Sequence, residues 1–404
     1  MSTAVIGSGI SGLAASYIFA PEVLYSDENR LGGHSRTIDV DGVAVDTGFI
    51  VFNFQNYPHL TALFSKLGIN IAKSNMSFGV SNNQLEYGTN NISGLFANKG
   101  NLLDHRFYRM LYEILKFNAK ARAYVTAQPT ATVAALVHDL KLSQYFLDNY
   151  LLAMAAAIWS SPKQQILKFP AINLINFFDN HGLLTVNCQP QWYTVTGGSK
   201  NYVNKIAQSL TGEIKLNTAV TAITRKQNKV LVTDSTGSIN EFERVILACH
   251  SDQALRILTE PTELEYNLLN SIRYQTNKIV VHKDPSFMPK NQKAWASWVY
   301  LGEQDNLSLT YWMNNLQPLN TTENIFVTLN PSRMPKSEFI YDIHEFAHPL
   351  FDQAAIAAQQ QINKIQGSGG VYYCGAWLGY GFHEDGIKSA AELANLLGVD
   401  VPWK

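Results

Sequence analysis

The sequence predicts an α/β fold in which a parallel-sheet domain is interleaved with a discontinuous α+β domain carrying a helical cap. Three observations predict it. A glycine-rich turn joins a strand to a helix at the N-terminus, a second glycine pair follows the next strand, and a strand–glycine–helix segment lies near the C-terminus.

The first strand, Ala4-Val5-Ile6, runs into Gly7-Ser8-Gly9-Ile10-Ser11-Gly12. The spacing of Gly7, Gly9 and Gly12 is that of a Rossmann-like dinucleotide site. The first glycine makes a tight turn, the second lets the backbone approach a pyrophosphate, and the third lets helix pack on strand. The helix expected over 10–19 points its positive N-terminus, at Ile10 and Ser11, toward that phosphate. Ser26, Asp27 and Glu28, at the end of the second strand, are where a ribose-holding group is expected. The runs Arg30-Leu31-Gly32-Gly33-His34-Ser35-Arg36-Thr37 and Asp46-Thr47-Gly48-Phe49-Ile50 come next. A hairpin turn explains two adjacent glycines but not the whole run. A second backbone segment closing over the cofactor suits a buried, retained FAD better than a nicotinamide that must come and go.

The middle of the chain reads as helical. Over 101–123, Phe107, Met110, Leu111, Ile114, Leu115 and Phe117 lie on or near one stripe, and further helices follow to 136, over 145–158 and over 173–178. Strand character returns over 214–223, in a hairpin of 229–233 with 241–244, and in a buried strand over 245–248. A second excursion, 256–366, is aromatic-rich, with strands expected at 278–283, 295–301, 307–313 and 325–330. The last strand, 371–374, leads through Gly375 and Ala376 to a final helix over 387–397. Asp385, Gly386 and Ile387 at its start are expected to aim N–H groups at the N1/O2 edge of a flavin, where negative charge develops on reduction. The expected division is 1–75, 195–255 and 367–404 for the cofactor, with 76–194 and 256–366 for substrate and cap.

Composition narrows the function classes. The chain has 404 residues, 46% hydrophobic and 16% charged, enough for two to three domains and a large core. A net charge of −1 gives no electrostatic footprint for nucleic acid or for strong attraction to anionic lipid. Cys188, Cys249 and Cys374 make neither a disulfide framework nor a zinc spacing, so a reducing cytoplasm is expected and no metal. With a strand expected from Thr3, no signal peptide is expected, and the most apolar run, 150–159, is too short to span a membrane. Peripheral contact with the inner face of the membrane, through a helix such as 107–117, is an alternative the sequence leaves open.

Taken together, these motifs resemble those of the FAD-dependent amine oxidase-like flavoproteins, the group with amine oxidases, phytoene desaturases and protoporphyrinogen oxidase. More narrowly the chain resembles the bacterial NAD/FAD-binding branch found beside cyclopropane-fatty-acid synthase genes. Beyond the glycine motifs, the resemblance rests on Ala155-Ala156-Ala157-Ile158-Trp159-Ser160, Phe177-Phe178-Asp179-Asn180-His181-Gly182, Pro190-Gln191-Trp192, Thr196-Gly197-Gly198-Ser199, Ala248-Cys249-His250-Ser251, Ala294-Trp295-Ala296-Ser297-Trp298, and Tyr373-Cys374-Gly375-Ala376-Trp377 with the residues up to Gly386. It covers essentially the whole chain. It implies FAD as cofactor, Val220 holding the adenine through its backbone, Ala248 in the cofactor site, and a cyclopropane-fatty-acid synthase-like methyltransferase as functional partner. The sequence departs from the family at Ser26, where an acid is usual; a serine hydroxyl makes weaker, uncharged bonds to a ribose.

Flavin carries the electron transfer, and the protein supplies orientation and electrostatics. Trp377 and Tyr380 are candidate substrate walls, with Trp295, Trp298, Tyr311 and Trp312 as further aromatics. His383 is the first candidate acid or base, ahead of His181 and His250, and Glu384 and Asp385 are equally read as helix caps. An apolar cap around 151–159 and 174–178 suits a phospholipid acyl chain or another small hydrophobic substrate. The expected reaction is desaturation by hydride transfer to flavin N5. The alternatives are amine oxidation, double-bond isomerisation, or a flavin-holding lipid-binding partner without turnover.

Overall fold

The protein is described here by a computed structural model that covers residues 1–82, 85–159, 163–180, 182–185, 190–303 and 306–404. Ser160, His181 and Cys188 lie outside the described residues.

Among the described residues, five parallel strands form the sheet at the N-terminal glycine motif. Their order is Glu213–Lys215, Val23–Tyr25, Thr3–Ile6, Arg244–Leu247, Val371–Tyr373, with Val5 opposite Leu24 on one side and Ile246 on the other. The central strands are apolar on both faces, as a sheet covered on both sides requires: Ala4, Val5, Val245, Ile246 and Leu247 are fully buried. On one face the helix Ile10–Phe19 packs against the final helix His383–Leu396. The crossing is close because Gly386 has no side chain; a Cβ there would sit 2.7 Å from Ile10 Cγ2 and 2.8 Å from Ser11 Oγ. The other face is covered by an antiparallel sheet of Val220–Lys226, Lys229–Asp234 and Ile239–Phe242, whose inner residues share a core with Ala4, Ile6 and Tyr25.

A second, larger sheet has the order Ile340–Leu350, Arg273–His282, Phe326–Leu329, Asn306–Trp312, Trp298–Glu303, Phe78–Asn82, Glu86–Gly88. Helices His105–Ala127, Val133–Asp139, Leu152–Trp159 and Ala171–Asn180 cap it, and sheet and cap share one continuous core. No helix among the described residues is long and apolar enough to cross a membrane.

Three of the differences from the sequence reading bear on the site. The strand expected over 214–223 is two strands in different sheets, separated by a turn in which Asn217 takes φ +50°. The strand Ile340–Leu350 was not anticipated, because polar and apolar residues are mixed on both of its faces. The final helix starts at His383 rather than 387, because the Asp385 carboxylate caps it by accepting N–H bonds from Tyr380 (3.0 Å) and Phe382 (2.9 Å). Asp385 and Gly386 therefore sit inside the first turn, with Ile387 fully buried in the core behind it.

Candidate active site

The glycine motif performs three separate tasks. Gly7 takes φ +105°, and a Cβ there would lie 2.8 Å from the Ala248 carbonyl. A Cβ on Gly12 would lie 1.7 Å from the Gly7 carbonyl, so helix and strand can meet only here without a side chain. Gly9 is different: a Cβ would meet nothing within 4 Å, because this residue faces a cavity. Gly9 is also the N-cap of the first helix, and no side chain caps it. The free N–H groups of that helix end thus open on the cavity at Ile10 and Ser11, the electrostatics an anionic pyrophosphate needs.

The second glycine pair closes over this cradle. A Cβ on Gly33 would be 3.0 Å from the Gly9 Cα, and the Gly32 N–H donates to the Ser8 carbonyl at 2.9 Å. Arg30 fixes the turn by donating to the Gly33 carbonyl (2.8 Å) while pairing with Glu28 (2.9 Å). Gly48 is pinned under the same segment, since Phe49 N–H donates to the His34 carbonyl and a Gly48 Cβ would collide with it.

The cavity has a volume of about 740 Å³. It begins at Gly9, Ile10, Ser11, Thr47, Gly48, Phe49, Ile50, Ala248, Gly375 and Ala376, and continues past Trp377, Tyr380 and His383. It then runs between the large sheet (Ile279, Trp298, Tyr311, Val327) and the cap (Tyr150, Met154, Phe177), reaching Leu111, Ile114, Leu115 and Asn118 on the helix His105–Ala127. Among the described residues no Asp, Glu, Lys or Arg lines it. Its size and apolar lining with a few polar groups are those of a small-molecule site. An uncapped helix end, a glycine cradle and a long chamber beyond fit FAD with its reactive ring facing a substrate.

Gly7, Gly12, Gly32, Gly33, Asp385, Gly386 and Ile387 stand behind the cavity wall rather than on it. So does Val220, buried in the core beside the parallel sheet. The three candidates for the ribose are sorted by their partners. The Ser26 hydroxyl is tied to Ser8 Oγ at 2.7 Å and Glu28 is paired with Arg30. Asp27 is exposed, and its charge reaches Cys249 and His250 at the cavity. Like Ser26 and Glu28 it lies outside the cavity lining.

Trp377 is a buried wall whose indole N–H donates to the Cys249 carbonyl at 3.1 Å, joining two of the cavity-forming segments. Tyr380 packs edge-on to Phe177, which stacks on Phe382 at 4.8 Å. Trp298 and Tyr311 line the chamber, whereas Trp295 and Trp312 pack with Phe326 in a separate cluster behind the sheet. His383 reaches the cavity as a ring stacked on Phe49 at 3.9 Å. Its Nε2 is held by Tyr202 Oη (2.5 Å) and Ser35 Oγ (3.0 Å), and burial pushes its pKa down to about 3. The imidazole is therefore neutral and already hydrogen-bonded. Glu384 caps the helix Pro58–Leu67 instead, accepting from His59 N–H (2.9 Å) and Leu60 N–H (3.0 Å).

The sequence reading missed one group. His348 and Phe346 from the strand Ile340–Leu350 join His34 and His250 in a half-buried imidazole cluster on the cavity wall. Desolvation and then mutual repulsion hold the imidazoles of His34 and His348 neutral, the latter pushed down to about 4. The signal was present: His344, Phe346 and His348 alternate along one face of a strand.

Fold and site together define an FAD-dependent oxidoreductase. The chain belongs to the flavin-containing amine oxidoreductase family, whose model matches residues 11–316. Among solved structures, it is similar to a fatty acid isomerase from P. acnes that produces CLA (13% identity, 98% of each chain, TM-score 0.69). It is similar also to cyclohexylamine oxidase from Brevibacterium oxydans IH-35A (15% identity, 98% of this chain and 99% of the other, TM-score 0.72). Putrescine oxidase bound to putrescine is a further likeness (14% identity, 98% and 99%, TM-score 0.69). No curated protein sequence matches the chain.

Proposed function

We propose that the protein oxidises an unsaturated or methylated fatty acyl chain, introducing a further double bond. The observation that carries this reading is the chamber: long, lined by aliphatic and aromatic side chains, and without a lysine, arginine or carboxylate among its described lining residues. A cationic amine entering it would lose its hydration shell with no carboxylate to replace it, a cost of several kcal/mol. A hydrocarbon gains about 0.8 kcal/mol for each methylene buried.

FAD held at the glycine cradle, by the backbone of Gly9, Ile10 and Ser11, would supply the two-electron acceptor for the hydride. The chain's own residues do the rest. Trp377, Tyr380 and Phe177 hold the acyl chain and exclude water at the reacting carbon. The proton leaves to an imidazole of the wall, where His34, His250 and His348 stand neutral, while His383 serves to position. His383 is the least free of the four, because Nε2 is shared by Tyr202 and Ser35. The resemblance to the branch found beside cyclopropane-fatty-acid synthase genes supports a lipid substrate. Double-bond isomerisation is the second reading, favoured by the structural likeness to the fatty acid isomerase.

The test is anaerobic mixing of flavin-loaded protein with a panel of unsaturated phospholipids, fatty acids and amines. Bleaching of oxidised-flavin absorbance by an acyl substrate alone is the expected result. Bleaching by amines alone would overturn the reading.

A further inference from the structure

The helix His105–Ala127 carries two apolar stripes. Phe107, Met110, Phe117, Ala121 and Val125 are buried in the cap. The other stripe, Tyr108, Tyr112 and Leu115, follows i, i+4, i+7 spacing and faces outward, with Tyr112 65% exposed and Leu115 53% exposed. Leu103, in the turn just before the helix, is 90% exposed, and Tyr108 Oη braces this turn by donating to the Leu102 carbonyl at 3.1 Å. Such a run of large apolar side chains on one face needs an explanation that a scattered exposed leucine does not.

Two further observations say what covers it. The first is position: Leu115 belongs both to this outer face and to the cavity lining, so the chamber reaches the molecular surface here. The second is charge. Between residues 99 and 127 stand Lys99, Arg106, Arg109, Lys116, Lys120 and Arg122 against only Asp104 and Glu113, in a chain whose net charge is −1. Asp104, Glu113 and Asp179 pair with Arg106, Arg109 and Arg122, which leaves Lys99, Lys120 and Lys116, the last donating to the Leu140 carbonyl, as the cationic surplus of the segment. An amphipathic helix with outward aromatics and a basic flank lies in the interface of an anionic bilayer.

We infer that this face docks on the surface of a bilayer containing anionic phospholipid, with the mouth of the cavity set against the lipid. The inference goes beyond the substrate reading and does not need it, because docking is measured without turnover. A protein that docks yet oxidises amines keeps this inference and loses the other.

The experiment is vesicle flotation of the full-length, FAD-loaded protein. Phosphatidylcholine vesicles containing phosphatidylglycerol are compared with pure phosphatidylcholine, at low salt and at about 0.5 M NaCl, where exposed charges are screened. Expected is binding to the anionic vesicles that falls severalfold on removing phosphatidylglycerol or raising salt. The double variant Leu103→Asp, Tyr112→Asp, which leaves the cavity lining untouched, should lower binding at least tenfold with flavin content and circular dichroism unchanged. Absence of vesicle binding, equal binding to neutral vesicles, or an unaffected double variant would overturn the inference. So would a stable dimer in solution that the double variant dissociates.

Discussion

Replacing His383 by glutamine separates a neutral positioning imidazole from a free base. Glutamine keeps a donor and an acceptor for Tyr202 and Ser35, the groups that hold His383 Nε2. The native ring has a pKa near 3, pushed down by burial from an ordinary 6.5. A lowered histidine pKa means the unfolded chain takes up the proton first, so the stability from a neutral ring is complete above pH 6.5 and is lost as pH falls toward 3. At pH 5 the unfolded state is favoured by about 2 kcal/mol through this one group, and at pH 7.5 by less than about 0.1 kcal/mol. Glutamine does not titrate, and every other group contributes alike to both proteins. The stability difference between native and variant, read from urea unfolding, should therefore move by about 2 kcal/mol in favour of the variant between pH 7.5 and 5. Parallel stability curves would refute the reasoning. They would mean that the native imidazole titrates near its ordinary value, as a poised general base does.

Three other substitutions probe the cofactor site and the chamber. Gly12→Ala drives a Cβ to 1.7 Å from the Gly7 carbonyl and should yield protein with at least about tenfold weaker FAD binding, measured by flavin titration. Asp27→Ala removes charge-assisted acceptors of about 1.5–3 kcal/mol and should weaken FAD by about 10- to 150-fold in the same titration. Ile114→Trp, on the cap helix at the far end of the cavity, should raise KM for long acyl chains by about tenfold and for short ones far less.

How much was legible in the sequence follows from physical reach. The cradle was readable because its tasks are local: Gly7, Gly9 and Gly12 act within one strand–turn–helix unit, and their spacing encodes the geometry. The helix over 10–19 could be read for the same reason. The final helix starts four residues before the place expected, although Asp385 reads as a cap, because its bonds reach back to Tyr380 and Phe382 through a loop without regular periodicity. The choice among Ser26, Asp27 and Glu28 was equally hidden. It turns on Ser8 and Arg30, whose side chains settle their partners only once the chain is folded. The histidine cluster lay furthest from view. It joins His34 from the glycine-pair loop, His250 from a helix N-cap and His348 from a strand, three segments distant in sequence, and only the last carries a local signal in its alternating rings. Aromatics misled in the opposite way, since Trp295 and Trp312 carry the same composition signal as Trp298 and Tyr311 but face the other side of the sheet.

The most direct measurement is the mass and double-bond position of the acyl product after incubation of flavin-loaded protein with unsaturated phospholipid and an electron acceptor. The account predicts a chain lighter by one H₂, with a new double bond beside the old one and flavin reduced in step. An unchanged lipid, together with aldehyde released from an added amine, would contradict it.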